Sequence, residues 1–288
     1  MKPRVLVIHN PAAGERSLRR LSRALRRLEA TGCAVTLRET SARGDAEAIA
    51  RSATPDETDI VAAAGGDGTV NEAANGLAGR ELPLAVIPLG TANVLAREVR
   101  VADPEAAADA IALGRVERIW PGKVGGRRFL MFAGAGLDSH VVHNVSLGLK
   151  RRVGRFAYVW ETAAAGWRYR FPALQVRVDG SPREAYSVVV SKGSRYAGPY
   201  VLARDARLSI PSFQVCLFKR RGMWNVFRYS LGLLLSRVRA YRDVEILPAE
   251  RVAISGADVP LQIDGDPAGF LPVEISIDRE PLRLVVGG

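Results

Sequence analysis

The residues best suited to chemistry lie in three short polar loops, each placed directly after an apolar run. They are residues 10–14 (NPAAG), 65–69 (GGDGT) and 88–93 (PLGTAN). Glycines let the backbone turn sharply and bring its N–H groups close to a ligand. Where a helix follows, its N-terminus adds partial positive charge, and the two effects together make a site suited to phosphate.

Asp67 gives the second loop its particular chemistry. A carboxylate in a phosphate-binding loop would repel the phosphate unless a cation lay between them, and magnesium commonly links carboxylates to nucleotide phosphates. Asp67 therefore predicts a Mg²⁺ ion at this loop. For any single loop an ordinary tight turn is the alternative interpretation, and the sequence contains no Gly-x4-Gly-Lys-Ser/Thr phosphate loop.

The elements around these loops are expected to bring them together. Strand-like and helical patterns alternate along the first 120 residues, which predicts a parallel sheet with helices on its faces. Loops at the carboxyl ends of neighbouring parallel strands converge on the crevice where such sheets bind ligands. The three loops together are therefore a stronger signal than any one of them.

The second half of the chain has a different pattern. Short β-like runs dominate it, and two helical insertions are expected at about residues 153–167 and 223–238. We predict an α/β fold followed by an all-β fold. The α/β domain would span residues 1–118 in three layers, and a β-sandwich would span residues 119–288, with its last strand free to return to the first domain.

Charge is distributed unevenly between the two halves. Residues 1–120 hold 16 Lys+Arg and 16 Asp+Glu, whereas residues 121–288 hold 25 and 14, so the whole net charge of +11 lies in the second half. Such asymmetry indicates an anionic partner, either nucleic acid or an anionic membrane surface.

Cys33 and Cys216 stand far apart, which predicts neither a disulfide framework nor a metal cluster and fits a reducing cytosol.

The loops of the first half resemble those of one known family. Residues 65–72 (GGDGTVNE) and 88–93 (PLGTAN) look like the diacylglycerol kinase catalytic domain. Residues 10–14 are similar to its opening Asn-Pro-x-x-Gly motif, and Thr40 with residues 44–46 (GDA) is similar to its second-strand loop.

The resemblance continues into the second half. Residues 264–267 (DGDP) resemble the family's Asp-Gly-Glu motif, and residues 196–198 (YAG) resemble its Tyr-Ala-Gly-Gly segment. The similarity covers nearly the whole chain in order. It is therefore specific to the bacterial soluble lipid kinases, which include diacylglycerol and phosphatidylglycerol kinases and relatives of sphingosine and ceramide kinases.

This resemblance implies a kinase that transfers the γ-phosphate of ATP to a hydroxyl of a membrane lipid such as diacylglycerol. ATP and Mg²⁺ would lie in the cleft between the nucleotide-binding α/β domain and a lipid-binding β-sandwich. Asp67 would organise Mg²⁺ and phosphate, and Asp266 would be the general base. The residues that would contact ATP are Asn10, Thr40, Gly65, Gly66, Asp67, Gly68, Thr69, Val70, Asn71, Glu72, Gly90, Thr91 and Asn93.

Two departures from the family pattern bear on this interpretation. Asp266 stands where the family has glutamate, so its side chain is one methylene shorter. Three alternatives are open: the backbone lies closer to the substrate, the activity is reduced, or Asp264 is the general base instead. The family also usually carries an acidic residue near position 210 that helps to hold a structural Mg²⁺. Residues 206–211 (ARLSIP) contain no carboxylate, so we predict that this accessory metal site is absent.

Two basic and aromatic segments predict contact with an anionic membrane surface. Residues 219–242 hold seven basic and no acidic residues around an apolar helix, and residues 150–160 form a second cluster. The alternative is that the apolar side chains pack inside and the arginines are merely solvated.

No apolar run is long enough for a signal peptide or a membrane span. We therefore expect a cytoplasmic protein at the inner membrane surface, with no nucleic acid partner; a homodimer stays open.

Three other functions are compatible with parts of the sequence. NAD kinase shares the Gly-Gly-Asp-Gly loop, but it lacks the motifs seen at residues 10–14 and 88–93. A catalytically reduced protein that binds nucleotide and membrane would account for Asp266 and for the missing carboxylate near residue 210. A nucleic-acid binder fits the pI of about 10.2 but leaves the three loops unexplained.

Overall fold

The computed structural model describes residues 3–11, 15–144 and 169–288. Three sequence-based predictions fall outside these ranges: the role of Gly14 in the first loop, the helical insertion at 153–167 and the basic cluster at 150–160. Among the helices that are described, none is both long and apolar enough to cross a membrane.

In chain order the elements are β1 (Arg4–His9), α1 (Glu15–Ala30), β2 (Ala34–Glu39), α2 (Asp45–Ser52), β3 (Ile60–Gly65), α3 (Asp67–Gly76), β4 (Leu84–Pro88), α4 (Val94–Glu98), α5 (Pro104–Leu113), β5 (Val116–Ile119), β6 (Gly122–Val124), β7 (Arg127–Phe129), β8 (Phe132–Ala135), α6 (Leu137–Asn144), β9 (Leu174–Val178), β10 (Ser181–Ala185), β11 (Ser187–Ser191), β12 (Arg195–Tyr196), β13 (Tyr200–Val201), β14 (Phe213–Phe218), α7 (Met223–Leu234), β15 (Val244–Ala249), β16 (Arg251–Ser255), β17 (Pro260–Ile263), β18 (Asp266–Phe270), β19 (Val273–Ile277) and β20 (Leu282–Val285). A short 3-10 helix (Val238–Ala240) follows α7.

A six-stranded sheet organises the first unit, in the order β2-β1-β3-β4-β20-β5. Strands β1 to β4 are parallel, and β20 returns from the end of the chain to lie parallel to β4 and antiparallel to β5. Every residue of β3 is buried, as expected for a strand covered on both faces. The covering helices pack in two pairs, α1 with α5 and α2 with α3.

Two six-stranded sheets form the second unit, in the orders β10-β9-β16-β19-β6-β7 and β15-β14-β11-β8-β17-β18. Alternate residues of strands such as β9 point inward, and the core between the sheets includes Phe129 stacked on Phe213 with ring centroids 5.8 Å apart. The structure thus confirms the predicted fold class, an α/β fold joined to a β-sandwich with helical insertions.

The sequence of residues 128–133 is β-like and predicts one strand, which the structure divides. These residues form the end of β7 and the start of β8. The break occurs because the backbone N–H groups of Leu130 and Met131 donate to the side chain of Asp264 instead of to a neighbouring strand. A buried backbone donor needs such a partner, and here a carboxylate supplies it.

Candidate active site

The second and third glycine loops touch backbone to backbone at the carboxyl ends of β3 and β4. A Cβ atom on Gly90 would lie only 2.6 Å from the Cα of Gly66, so a side chain at position 90 would push the loops apart. The backbone N–H groups of Leu89 and Gly90 both donate to the carbonyl of Gly65, at 3.0 and 3.2 Å. The two loops therefore form one continuous surface of backbone at the sheet edge.

The first loop joins this surface through Asn10. Its amide Nδ2 donates to the hydroxyl of Thr69 at 3.4 Å, and Thr69 is itself packed on Gly65, where a Cβ atom would lie 2.5 Å from the Thr69 hydroxyl. Thr40 is buried at the end of β2, beside β1, and its N–H donates to the carbonyl of His9. The described part of the first loop, residues 10–11, thus lies against the second, as the parallel topology predicts.

Asp67 is the first residue of α3, and its carboxylate also holds the start of α4. Its Oδ1 accepts the N–H of Val94 at 2.7 Å. Burial raises the pKa of Asp67, while the N–H groups of Val94, Leu95 and Asn93 favour the ionised form and oppose that rise. A buried carboxylate of this kind gains from a nearby cation, and its hydrogen bond fixes the second loop relative to the third.

Asn93 closes the third loop upon itself. Its Oδ1 accepts the N–H of Gly90 at 3.0 Å, and its Nδ2 donates to the Gly90 carbonyl at 2.8 Å. The backbone of Asn93 is left-handed, with φ 45°. Asparagine tolerates this conformation better than most residues, and α4 begins directly after it, at Val94.

Four further predicted ATP contacts differ in their surroundings. Thr91 is exposed on the third loop, whereas Val70 is buried in α3 and Glu72 is partly exposed there. Asn71 is buried, and its amide donates to the Arg128 carbonyl at 3.1 Å and to Asp264 Oδ2 at 2.8 Å. Asn71 therefore connects α3 to the β-sandwich, and its contact with ATP stays a prediction.

Asp264 fastens the β17–β18 hairpin to the rest of the molecule. It forms a two-residue turn with Gly265, both with positive φ (48° and 86°), which is the turn that Asp-Gly favours. Its carboxylate accepts four hydrogen bonds, from Asn71 and from the N–H groups of three consecutive residues, at 2.7 to 3.0 Å. Burial raises the pKa of Asp264 and these bonds oppose the rise. Both oxygens are engaged, which makes Asp264 a poor candidate for the base.

The hairpin carries Asp266 across to the start of α3. Its Oδ2 lies 3.6 Å from the position that a Cβ atom on Gly68 would occupy, and Arg43 Nη2 lies 3.6 Å from the same oxygen. The side chain of Asp266 is 37% exposed. Asp266 therefore lies beside Gly68, the residue that follows Asp67 at the start of α3. The space between the glycine loops and the hairpin is hereafter called the groove.

Comparison with known proteins shows the family to which the chain is similar. Residues 4–124 match the diacylglycerol kinase catalytic domain, and residues 132–286 match the YegS C-terminal NAD kinase beta sandwich-like domain. The chain is 29% identical to a diacylglycerol kinase of Bacillus subtilis, over 94% of this chain and 92% of the relative. It is 30% identical to one of Staphylococcus aureus, over 96% and 92%.

The chain belongs to the bacterial diacylglycerol kinase family. It is therefore a lipid kinase, a family that uses ATP and typically a divalent metal ion. Two crystal structures of proteins from Bacillus anthracis share its fold, with TM-scores of 0.80 and 0.70 at 22% and 20% identity. They cover 99% of this chain and 95% and 97% of their own, and the second is described as a diacylglycerol kinase.

The groove fits a nucleotide phosphate better than a metal ion held by protein side chains alone. Among the described residues there is no cluster of three or more His, Cys, Asp or Glu side chains that could hold a metal ion alone. The close approach of Gly66 and Gly90 leaves exposed backbone at the groove, and Asp67 offers a carboxylate beside it. A Mg²⁺ ion held jointly by phosphates and one carboxylate fits such a donor set.

Sequence reasoning missed two arginines at this lipid kinase site. Arg43 reaches Asp266 across the groove, and Arg20 on α1 donates to the carbonyl of Pro88 beside the third loop at 2.9 Å. Arg43 could have been suspected, since it stands between Thr40 and the 44–46 segment. Arg20 gave no signal, because its helix carries arginines at many positions.

Proposed function

We propose that this lipid kinase transfers the γ-phosphate of ATP to a hydroxyl of a membrane lipid, and that diacylglycerol is its first candidate substrate. The observation that supports this most is the shared groove, in which Asp266 reaches the start of α3 from the opposite unit. The names of the Bacillus subtilis and Staphylococcus aureus relatives point to the same lipid.

Each side of the groove has a distinct task in this reaction. The first N–H groups of α3 have no partner within the helix, so Gly68 and Thr69 can donate to phosphate oxygens. When bound, Mg²⁺ would supply neutralising charge for the phosphates, and Asp67 is the carboxylate beside it. Arg43 adds positive charge at the mouth of the groove.

Asp266 takes the proton in the transfer step. The lipid hydroxyl oxygen forms a bond to the γ-phosphorus of ATP as the bond to the ADP oxygen breaks, and the hydroxyl proton passes to the Asp266 carboxylate. The hairpin that presents Asp266 is fixed by the hydrogen bonds of Asp264. The shorter aspartate side chain is thus brought to the phosphate loop by its rigid backbone.

A turnover assay tests the proposed function directly. Labelled ATP and Mg²⁺ would be supplied with diacylglycerol, phosphatidylglycerol, sphingosine or ceramide in mixed micelles. We expect labelled lipid with diacylglycerol, and we expect its loss in Asp67→Ala, which removes the carboxylate beside the phosphates. ATP binding with no label in any lipid would instead support a non-catalytic nucleotide-binding protein, and label in added NAD would support an NAD kinase.

We also propose that α7 carries the enzyme to its substrate. Five outward side chains on α7 and directly after it, hereafter the α7 stripe, are between 41% and 74% exposed: Trp224, Phe227, Leu231, Leu234 and Leu235. The steps of three and four residues from Trp224 to Leu234 place these four on one side of the helix, and Leu235 follows at its end. A contiguous apolar stripe of this size in solvent is typical of a protein or membrane contact.

The opposite side of α7 holds the helix on the β-sandwich. Tyr229 is buried and donates its hydroxyl to Asp243 at 2.5 Å, and Arg228 pairs with the same carboxylate. Gly232 packs against the ring of Tyr241, where a Cβ atom would lie 2.4 Å from the ring. The inward residues are thus satisfied, so the stripe is available to a partner.

Positive charge around the stripe favours an anionic bilayer as that partner. Residues 219–242 hold seven basic and no acidic residues, and Arg220 and Arg221 are exposed at the start of α7. Aromatic and leucine side chains flanked by arginines suit the boundary between lipid headgroups and acyl chains. This arrangement supports the proposed peripheral association with the inner membrane surface, which would give the groove access to lipid.

A further inference from the structure

Lys192 is a fully buried lysine outside the groove. It follows β11, its exposure is 0%, and it is among the largest completely buried side chains in the described part of the chain. Lysine is almost never fully buried unless it is paired. Lys192 makes no salt bridge within 4 Å to a described carboxylate. Its partners are backbone carbonyl groups instead.

Three backbone carbonyls surround the Lys192 ammonium. Its Nζ donates to the carbonyls of Arg207 at 2.6 Å, Leu208 at 3.1 Å and Ile210 at 2.7 Å. An ammonium group has three donors, so each has an acceptor here. Burial lowers the pKa of Lys192 to about 8 and the Glu98 carboxylate opposes this, so the side chain carries its charge at neutral pH.

Carbonyls that converge on one point need a cation between them. The negative ends of three C=O dipoles from one short segment repel one another, and hard cations such as Mg²⁺ and Ca²⁺ bind such oxygens. Residues 206–211 contain no carboxylate that could complete a metal site. We propose that the Lys192 ammonium is a built-in cation that occupies this three-carbonyl site in place of a metal ion.

The built-in cation positions the second unit against the groove. The N–H groups of Lys192 and Gly193 donate to the Met131 carbonyl, and the next residue, Ser194, donates twice to Glu98 of α4, at 2.8 and 2.9 Å. Helix α4 begins directly after the third glycine loop. Lys192 therefore ties the 207–210 segment to the strand end that holds α4, whatever the supply of divalent ions.

Cation-dependent unfolding of the nucleotide-free full chain tests this proposal. Lys192→Ala leaves three carbonyls without a cation and an open space, so its Tm is expected to fall by roughly 5–10 °C in chelator and to rise again by several degrees in millimolar Mg²⁺ or Mn²⁺. Wild type and the control Lys123→Met, which replaces a partly exposed lysine, should show no cation-dependent shift. Lys192→Met, which fills the space with an apolar chain, should lose stability without recovery.

A Tm of Lys192→Ala that is lowered equally in chelator and in Mn²⁺ would overturn the proposal, since a purely structural lysine predicts that result. If the variants do not fold, crystals of the wild-type protein soaked in Mn²⁺ test whether a metal ion binds the three carbonyls. We expect no anomalous peak at the carbonyl oxygens of Arg207, Leu208 and Ile210. A peak bound to them would show that a metal ion belongs there.

Discussion

The three aspartates around the groove differ in what their carboxylate oxygens accept. Asp67 accepts backbone donors at the start of α4, and Asp264 accepts four donors with both oxygens. Asp266 has Arg43 at 3.6 Å and remains open to the groove. Asp264 is thus committed to holding its hairpin in place, Asp67 holds the start of α4 beside the phosphate site, and Asp266 is the carboxylate that stays open to the groove.

Asp264→Asn should destabilise the protein strongly. An amide can accept hydrogen bonds with one oxygen only, so two of the four donors around position 264 would face an NH₂ group. We expect a loss of about 2–4 kcal/mol in the free energy of unfolding, measured by urea denaturation. The hairpin that carries Asp266 would loosen as well, so kcat should fall.

Asp179→Asn provides a matched control for that variant. Asp179 also forms an Asp-Gly turn with positive φ. Its Oδ1 accepts the N–H groups of Glu250 and Arg251 at 3.1 and 2.8 Å, and Oδ2 is only a longer second acceptor for Glu250, at 3.3 Å. The asparagine oxygen can keep these bonds, so the change should cost less than about 1 kcal/mol. Equal losses of unfolding free energy in the two variants would show that the four hydrogen bonds accepted by Asp264 do not add to stability.

Short-range signals predicted these residues to different extents. The glycine loops were predicted because backbone conformation depends on the local residue types. The roles of Arg43 and Lys192 were not predicted, because the partner of a long side chain is set by tertiary packing. The carbonyls that Lys192 contacts lie 15 to 18 residues further along the chain.

Helix α7 shows how far a segment can be interpreted from its composition. The sequence predicted a basic and aromatic helix at residues 223–238, and the structure has α7 at Met223–Leu234 with a short 3-10 helix after it. Composition alone left open which aromatic residues pack inside. The structure buries Tyr229 and exposes Trp224 and Phe227, because Asp243 provides a partner for the tyrosine hydroxyl.

Membrane binding by the α7 stripe should depend on both its apolar and its basic residues. Trp224→Ser with Phe227→Ser is expected to weaken flotation with vesicles containing anionic lipid by about 10-fold or more, since two large side chains would no longer be buried in lipid. Arg220→Glu with Arg221→Glu should remove the preference for anionic over neutral vesicles.

Leu113→Ser is the matched control, because Leu113 is 76% exposed but lies on α5, in the first unit. It should bind vesicles as the unchanged protein does. Flotation that ignores anionic lipid content, or that survives both double variants, would rule out the stripe as the membrane contact. The oligomeric state of the variants, measured by light scattering, would then show whether a second copy covers it.

The two units of the molecule meet at α3. Asn71 and Asn75 both donate to the Arg128 carbonyl, and Arg128 Nε forms a buried ion pair with Asp278 at 2.5 Å. The order of strands and helices predicted the α/β sheet and the sandwich. It did not predict the cross-unit contacts of Asn71 and Asn75, because these residues lie 57 and 53 positions from Arg128 and their pairing has no local signature.

In the proposed reaction Asp266, presented by the second unit, takes the proton from the lipid at a phosphate site built by the first. The decisive measurement is the kcat of Asp266→Asn for diacylglycerol phosphorylation, determined beside its ATP affinity. We expect a fall of about 10²–10⁴-fold in kcat with ATP binding changed little, and Asp266→Glu should keep activity. An Asp266→Asn enzyme that turns over at the wild-type rate would contradict it.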